Sequence, residues 1–135
     1  MFRFERRIHF GEVDSARVVF FARFGDYCHE ALEALFDALP GGYADLTSRR
    51  DLGIPTVRID MSFESALRYG DVMVIDVEVT RLGTKSVQFR HTFRRKRDEK
   101  VCATVHHTVV LTKLSAFIGV PIPDDIRTLL SRHQG

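Results

Sequence analysis

Two cysteines, Cys28 and Cys102, are all that this 135-residue chain contains. They make no disulfide framework, and no Cys/His spacing of a metal site accompanies them. No apolar run approaches the ~20 residues that a membrane-spanning helix needs. The N-terminal stretch Met1-Phe2-Arg3-Phe4-Glu5-Arg6-Arg7 lacks the apolar segment and small-residue cleavage site of a signal peptide. No charge sign dominates either. Twenty basic residues stand against eighteen acidic ones, for a net charge of +2 and a pI near 8.7. That balance sets aside nucleic acid as a partner. Internal repeats, linkers and low-complexity tracts are absent. The expectation is a reduced, cytoplasmic protein with no membrane and no nucleic-acid partner.

With hydrophobic residues at 44% and charged residues at 28%, the chain is globular rather than disordered. A chain of this length buries roughly two thirds of its unfolded surface and forms one domain, residues 1–135. Phe2, Phe4, Ile8 and Phe10 share one parity, with Arg3, Glu5, Arg7 and His9 on the other, as in a half-buried strand. Arg6 alone breaks the pattern. Gly11 to Ser15 reads as a loop. From Val18 the spacing lengthens: Phe21, Phe24, Cys28, Ala31, Leu32, Leu35, Phe36 and Leu39 recur every three or four residues. This is one wide apolar helical face, and Pro40-Gly41-Gly42 ends it.

After a polar, weakly helical stretch from Ala44 to Asp51, four extended segments follow: Thr56–Ala66, Asp71–Leu82, Lys85–Lys96 and Lys100–Leu114. Their breaks at Tyr69-Gly70-Asp71, Leu82-Gly83-Thr84 and Arg97-Asp98-Glu99 are hairpin turns. A short helix follows Pro123, with Asp124 or Asp125 as N-cap. The long helix must bury its face on an antiparallel sheet, so the fold class is α+β: a five-stranded antiparallel sheet around one long central helix. The sheet's second face calls for cover, which points to a homo-oligomer, a dimer or a tetramer.

Nucleophile motifs of the G-x-S-x-G kind and phosphate-cradling glycine loops are missing. His106 and His107 are adjacent in a strand and point to opposite faces, so they cannot share one metal. The junction between the first strand and the long helix remains. Asp14 sits there, close to the unpaired N–H groups at a helix start. A carboxylate can attack or activate water, while backbone donors hold an oxyanion. Asp14 could equally be a loop-turn residue.

Arg7-Ile8, four residues, Val13-Asp14, two residues, Arg17-Val18-Val19-Phe20-Phe21 and then Phe24 resemble the signature of the 4-hydroxybenzoyl-CoA thioesterase family, which has the hotdog fold. The resemblance continues through Gly53-Ile54-Pro55, Phe63–Leu67, Tyr69-Gly70-Asp71 and Lys85-Ser86 and so covers nearly the whole chain. It implies an acyl-CoA thioesterase that releases a carboxylate and coenzyme A, with no cofactor and no metal. Asp14 would be the catalytic carboxylate and the Phe21 backbone N–H the oxyanion donor. Arg17, Phe20, Phe24 and His29 would meet the acyl end, and Lys85 and Ser86 the pantetheine or nucleotide end. Cys28-His29-Glu30-Ala31 is similar to a stretch in relatives acting on 1,4-dihydroxy-2-naphthoyl-CoA. Three departures stand out: Val13 where Thr or Cys is usual, Arg17 where glycine is usual, and Arg23 where a small amide is common.

An aromatic acyl group fits the crowd of Phe20, Phe21, Phe24 and Tyr27, which could also be core. The Arg94-Arg95-Lys96-Arg97 run is either a solvated hairpin tip or a contact for coenzyme A phosphates. A hotdog dehydratase would need a histidine near the helix approach, and Asp14 to Phe21 has none. Two alternatives stay open: a non-catalytic acyl-CoA-binding module, favoured by Arg17 in place of glycine, and an acyl-carrier-protein thioesterase.

Overall fold

The computed structural model describes all residues, Met1–Gly135. In chain order, β1 (Phe2–Arg7) leads through a 3-10 turn (Phe10–Glu12) to α1 (Arg23–Phe36) and α2 (Gly42–Ser48). Strands β2 (Leu52–Gly53), β3 (Thr56–Phe63), β4 (Val72–Leu82), β5 (Ser86–Arg95), β6 (Val101–Val110), β7 (Thr112–Lys113) and β8 (Ile118–Gly119) follow, and α3 (Asp124–Ser131) closes the chain. Five strands form one sheet in the order β1-β4-β5-β6-β3, every neighbouring pair antiparallel. The expected five-stranded sheet is therefore present. A second, three-stranded sheet, β2-β7-β8, was not legible in the sequence because both of its pairs span only two residues. Gly53 makes room for it: a Cβ there would lie 2.6 Å from Leu114 Cδ2.

The helix is shorter than its periodicity suggests. Phe21 and Leu39, the two ends of the periodic run, lie outside it. In the approach to the helix Val19 bridges Val13 and donates its N–H to the Leu67 carbonyl at 2.8 Å, so this β-branched residue is spent on an extended bridge. From Arg23 onward the expected apolar face is buried, with Cys28, Ala31, Leu35 and Phe36 completely so, and Tyr27 is sealed with them. Phe24 meets Phe93 of β5 edge to face at 5.1 Å, which docks the helix on the sheet. The chain then turns at Gly41 and Gly42, both left-handed at φ 79° and 68°. A Cβ on Gly42 would come within 2.6 Å of the Asp37 carboxylate, which caps α2 through the Tyr43 N–H. At the other end of the chain the α3 N-cap is Pro123. Asp124 and Asp125 fall in its first turn, where the fork from Arg50 holds Asp125 at 2.7 and 3.0 Å.

The outer face of the large sheet carries charged side chains that pair with one another. Asp76, buried in β4, accepts from Arg3 at 2.8 Å and lies 3.6 Å from Arg94, while Arg90 pairs with Glu78. The unpaired surface is instead an edge: β3 bonds only to β6 and is exposed along nearly its whole length. His106 faces out and His107 in, as their adjacency requires. Inside, His107 Nδ1 lies 3.3 Å from His91 Nε2, and His107 Nε2 lies 2.7 Å from Thr56 Oγ1.

Burial, with His107 beside it, pushes the His91 imidazole down to about 3. Burial and nearby His29 push His107 to about 4. An unfolded imidazole protonates near 6.5, so between pH ~6.5 and those lowered values the unfolded chain binds more protons than the folded one. The free energy of unfolding should therefore fall as pH drops from 6.5 towards 4, by at most ~1.4 kcal/mol per pH unit for each histidine. Urea denaturation at stepped pH measures this, and His91→Gln should flatten the dependence.

Candidate active site

Asp14 opens a closed loop. Its N–H donates to the Val18 carbonyl at 2.9 Å, its carbonyl accepts from Arg17 N–H at 2.9 Å, and Val13 and Val19 bridge across the loop's base. Its Oδ1 accepts the Ala16 N–H at 2.8 Å. The turn-residue reading of Asp14 is thus met by one oxygen, while Oδ2 has no protein donor and no cation pairs with the carboxylate. Arg17 holds φ at 64°, the left-handed region that glycine occupies without strain. The loop therefore runs as a glycine at this position would let it run.

Phe21 lies two residues before α1, not inside it. The chain approaches the helix through turns, with Arg23 N–H on the Phe20 carbonyl and Phe24 N–H on the Phe21 carbonyl. The N–H groups of Phe21 and Ala22 bond to nothing in the protein. The expected donor is free, although the helix starts later than expected.

Asp14 and Phe21 line one groove of about 400 Å³. Val18, Phe24 and Phe63 form its apolar wall, and Glu64 and Ser65 supply its other polar side chains. Phe24 and Phe63 meet edge to face at 5.1 Å. The contribution of Phe63, Glu64 and Ser65 was not foreseen. Only the exposure of an aromatic at the end of a strand could have signalled it, and exposure is set by packing.

The remaining candidates lie apart. Phe20 is half-exposed and its ring lies against that of Phe21, centroids 4.8 Å apart and planes tilted by 57°, outside the groove lining. Arg17 is exposed on the loop without an ion-pair partner. His29 lies on α1, edge-on to Tyr43 at 5.5 Å, and lines a separate hollow of about 340 Å³ with Pro55, Thr56 and Phe117. Lys85 and Ser86 precede and open β5, with the Lys85 carbonyl accepting the Leu111 N–H. Seven residues of strand, about 23 Å, separate Ser86 from Phe93 beneath the groove. The basic run is paired with acids: Arg94 with Asp76, Arg95 with Asp98, Lys96 with Glu5 and Arg97 with Asp71. Hydrogen bonds from Arg95 hold the Asp98 carboxyl down at about 2.

A family model described as the thioesterase-like superfamily matches residues 8–130. The 1,4-dihydroxy-2-naphthoyl-CoA hydrolase of Thermosynechococcus vestitus is 28% identical over 91% of this chain and 84% of its own. Among solved structures, a thioesterase superfamily protein from Jannaschia sp. CCS1 superposes with a TM-score of 0.89 at 29% identity, covering 99% of this chain and 93% of that one. A gentisyl-coenzyme A thioesterase superposes at 0.83 with 25% identity, covering 96% and 98%.

A left-handed arginine costs about 1–2 kcal/mol, of which the greater freedom of unfolded glycine would offset about 0.4–1 kcal/mol. Arg17→Gly should thus stabilise the fold by about 0.5–1 kcal/mol in urea denaturation, and Arg17→Val should destabilise it.

Proposed function

The chain belongs to the thioesterase-like superfamily and hydrolyses a thioester, and from that premise we propose an aromatic acyl-CoA as its substrate and Asp14 with the Phe21 N–H as its catalytic pair. The observation that carries the pair is their common groove, where Asp14 Oδ2 and the Phe21 N–H are both without protein partners. A thioester carbonyl in that groove would direct its oxygen to the N–H and its carbon to the carboxylate. Asp14 then either attacks, giving an anhydride that water opens, or takes a proton from an attacking water. Both routes release a carboxylic acid and the coenzyme A thiol. A preorganised N–H donor of this kind contributes roughly 3–4 kcal/mol at the transition state.

The aromatic preference rests on the ring-lined wall of Phe21, Phe24 and Phe63. It is in keeping with relatives named for naphthoyl-CoA and gentisyl-CoA. We read residues 1–135 as one hotdog domain, its sheet curled about α1. One cluster of buried residues running from Ile8 to Leu130 supports this. The buried, unpaired Cys28 and Cys102 suit a reducing compartment, the cytoplasm.

A homo-oligomer is part of the same proposal. An eight-residue edge strand with Val57, Ile59 and Phe63 exposed is a template for a second copy. Antiparallel pairing of two β3 edges about a twofold axis would bring the Thr56 end of one copy beside the Phe63 end of the other. His29, Lys85 and Ser86 lie at the Thr56 end, so each groove would meet these residues from its neighbour. Binding contacts for the remainder of a long coenzyme A ester would come from there.

Thiol release from a panel of aryl-CoA, fatty-acyl-CoA and acyl-carrier-protein thioesters tests the substrate. Asp14→Asn should lower kcat by roughly 10²-fold or more; an unchanged rate removes Asp14 from the mechanism. Sedimentation should find the native protein as a dimer or tetramer and Ile59→Asp as a smaller species. A fully active monomer would overturn the shared site.

A further inference from the structure

Arg6 is the one charged residue on the inward parity of β1, and its side chain is only 16% exposed. Its guanidinium forks onto Glu12, with Nη1 and Nη2 each 2.6 Å from a carboxylate oxygen. Nε donates to Glu30 of α1 at 2.7 Å, and the group lies 4.9 Å over the Tyr27 ring. One cation thus joins the first strand, the 3-10 turn and the helix. Glu12 is tied in turn. Its Oε1 accepts the His9 N–H at 2.8 Å and its backbone carbonyl accepts the Phe20 N–H at 3.2 Å. Burial would raise the Glu12 carboxyl, but the bonds from Arg6 and His9 outweigh it and hold the group below its usual range. The same fork raises Arg6 above its usual value.

Glu12 stands two residues before Asp14, and its carbonyl holds the residue before Phe21. We propose that Arg6 and Glu12 are positioning residues, whose forked ion pair fixes the separation between the Asp14 carboxylate and the Phe21 N–H. This rests on the reading of Asp14 given above. The segment from Asp14 to Ala22 is largely exposed, with only Val19 buried, so it has little packing of its own to hold that separation. The fork supplies a rigid strut at its root. Substrate affinity, by contrast, depends on Phe24 and Phe63, which belong to α1 and β3. Loosening the strut should therefore affect turnover and spare binding.

Glu12→Gln keeps the shape and one acceptor but loses the charge. It should lower kcat at least about tenfold with KM within about twofold. Arg6→Lys keeps the charge but loses the fork, and should do the same. In an Asp14→Asn background neither change should lower the residual rate further, because without the Asp14 carboxylate there is no catalytic separation left to hold. A folded Glu12→Gln enzyme with native kcat overturns the proposal. So does an equal fold-loss in both backgrounds, the mark of a general structural role. Should Glu12→Gln fail to fold, Arg6→Lys is judged by the same thresholds. An active Asp14→Asn enzyme defeats the reading of the site itself, a distinct result.

Discussion

The apolar face of α1 against the inner face of the large sheet is the contact on which the rest of the molecule depends. Tyr27, Cys28, Ala31, Leu35 and Phe36 are sealed from water there, and Met73, Ile75, Val77, Val87, Phe89, Phe93 and Val105 are sealed from the sheet side. Full burial of one such side chain is worth ~1.5–3 kcal/mol, so no local loop preference can compete with the docking of this helix. Once docked, its N-terminal end is fixed over the sheet where Phe24 touches both Phe63 and Phe93. The loop that precedes it must then close at that place.

The same contact explains why the candidate site lies where it does. The chain leaves β1, makes a 3-10 turn and has to climb to the start of α1. Val13 and Val19 pinch this ascent into a loop, and Arg17 takes a left-handed angle to complete it. The loop's backbone donors are largely consumed by Val18, Leu67 and Glu12 carbonyls, which leaves the Phe21 and Ala22 N–H groups without partners, Phe21 being a groove-lining residue. Unsatisfied donors beside an open carboxylate are what a polarised carbonyl would complement. The apolar walls on either side come from elements far apart in sequence.

Much of this was legible in the residues. The 3.6-residue recurrence from Phe24 to Phe36, the period-two strands and the Gly41-Gly42 stop all reflect burial of one face, and burial writes itself into composition. Asp14 stood out by its place before a helix start, and a role for the Phe21 N–H came only from the resemblance of the surrounding residues to a known signature. What failed was local. Phe21 fits the helical period, yet the turns that lead into α1 keep it outside the helix. The outer face of the sheet, expected to need cover, carries charged side chains that pair with one another, because alternation shows which face is polar but not whether its charges find partners. The misfit at Arg6 was visible as a break in parity, and its partners Glu12 and Glu30 were not.

Periodicity and turn chemistry act over a few residues, and they sufficed for the long helix, the five main strands, their order along the chain and the loop between β1 and α1. Packing across the whole chain brings Phe63, Glu64 and Ser65 to the groove of Asp14, sets His29, Lys85 and Ser86 at the far end, and places β3 at the sheet edge. Those outcomes follow from the strand order β1-β4-β5-β6-β3, and that order is chosen by the packing of the whole core rather than by any segment within it.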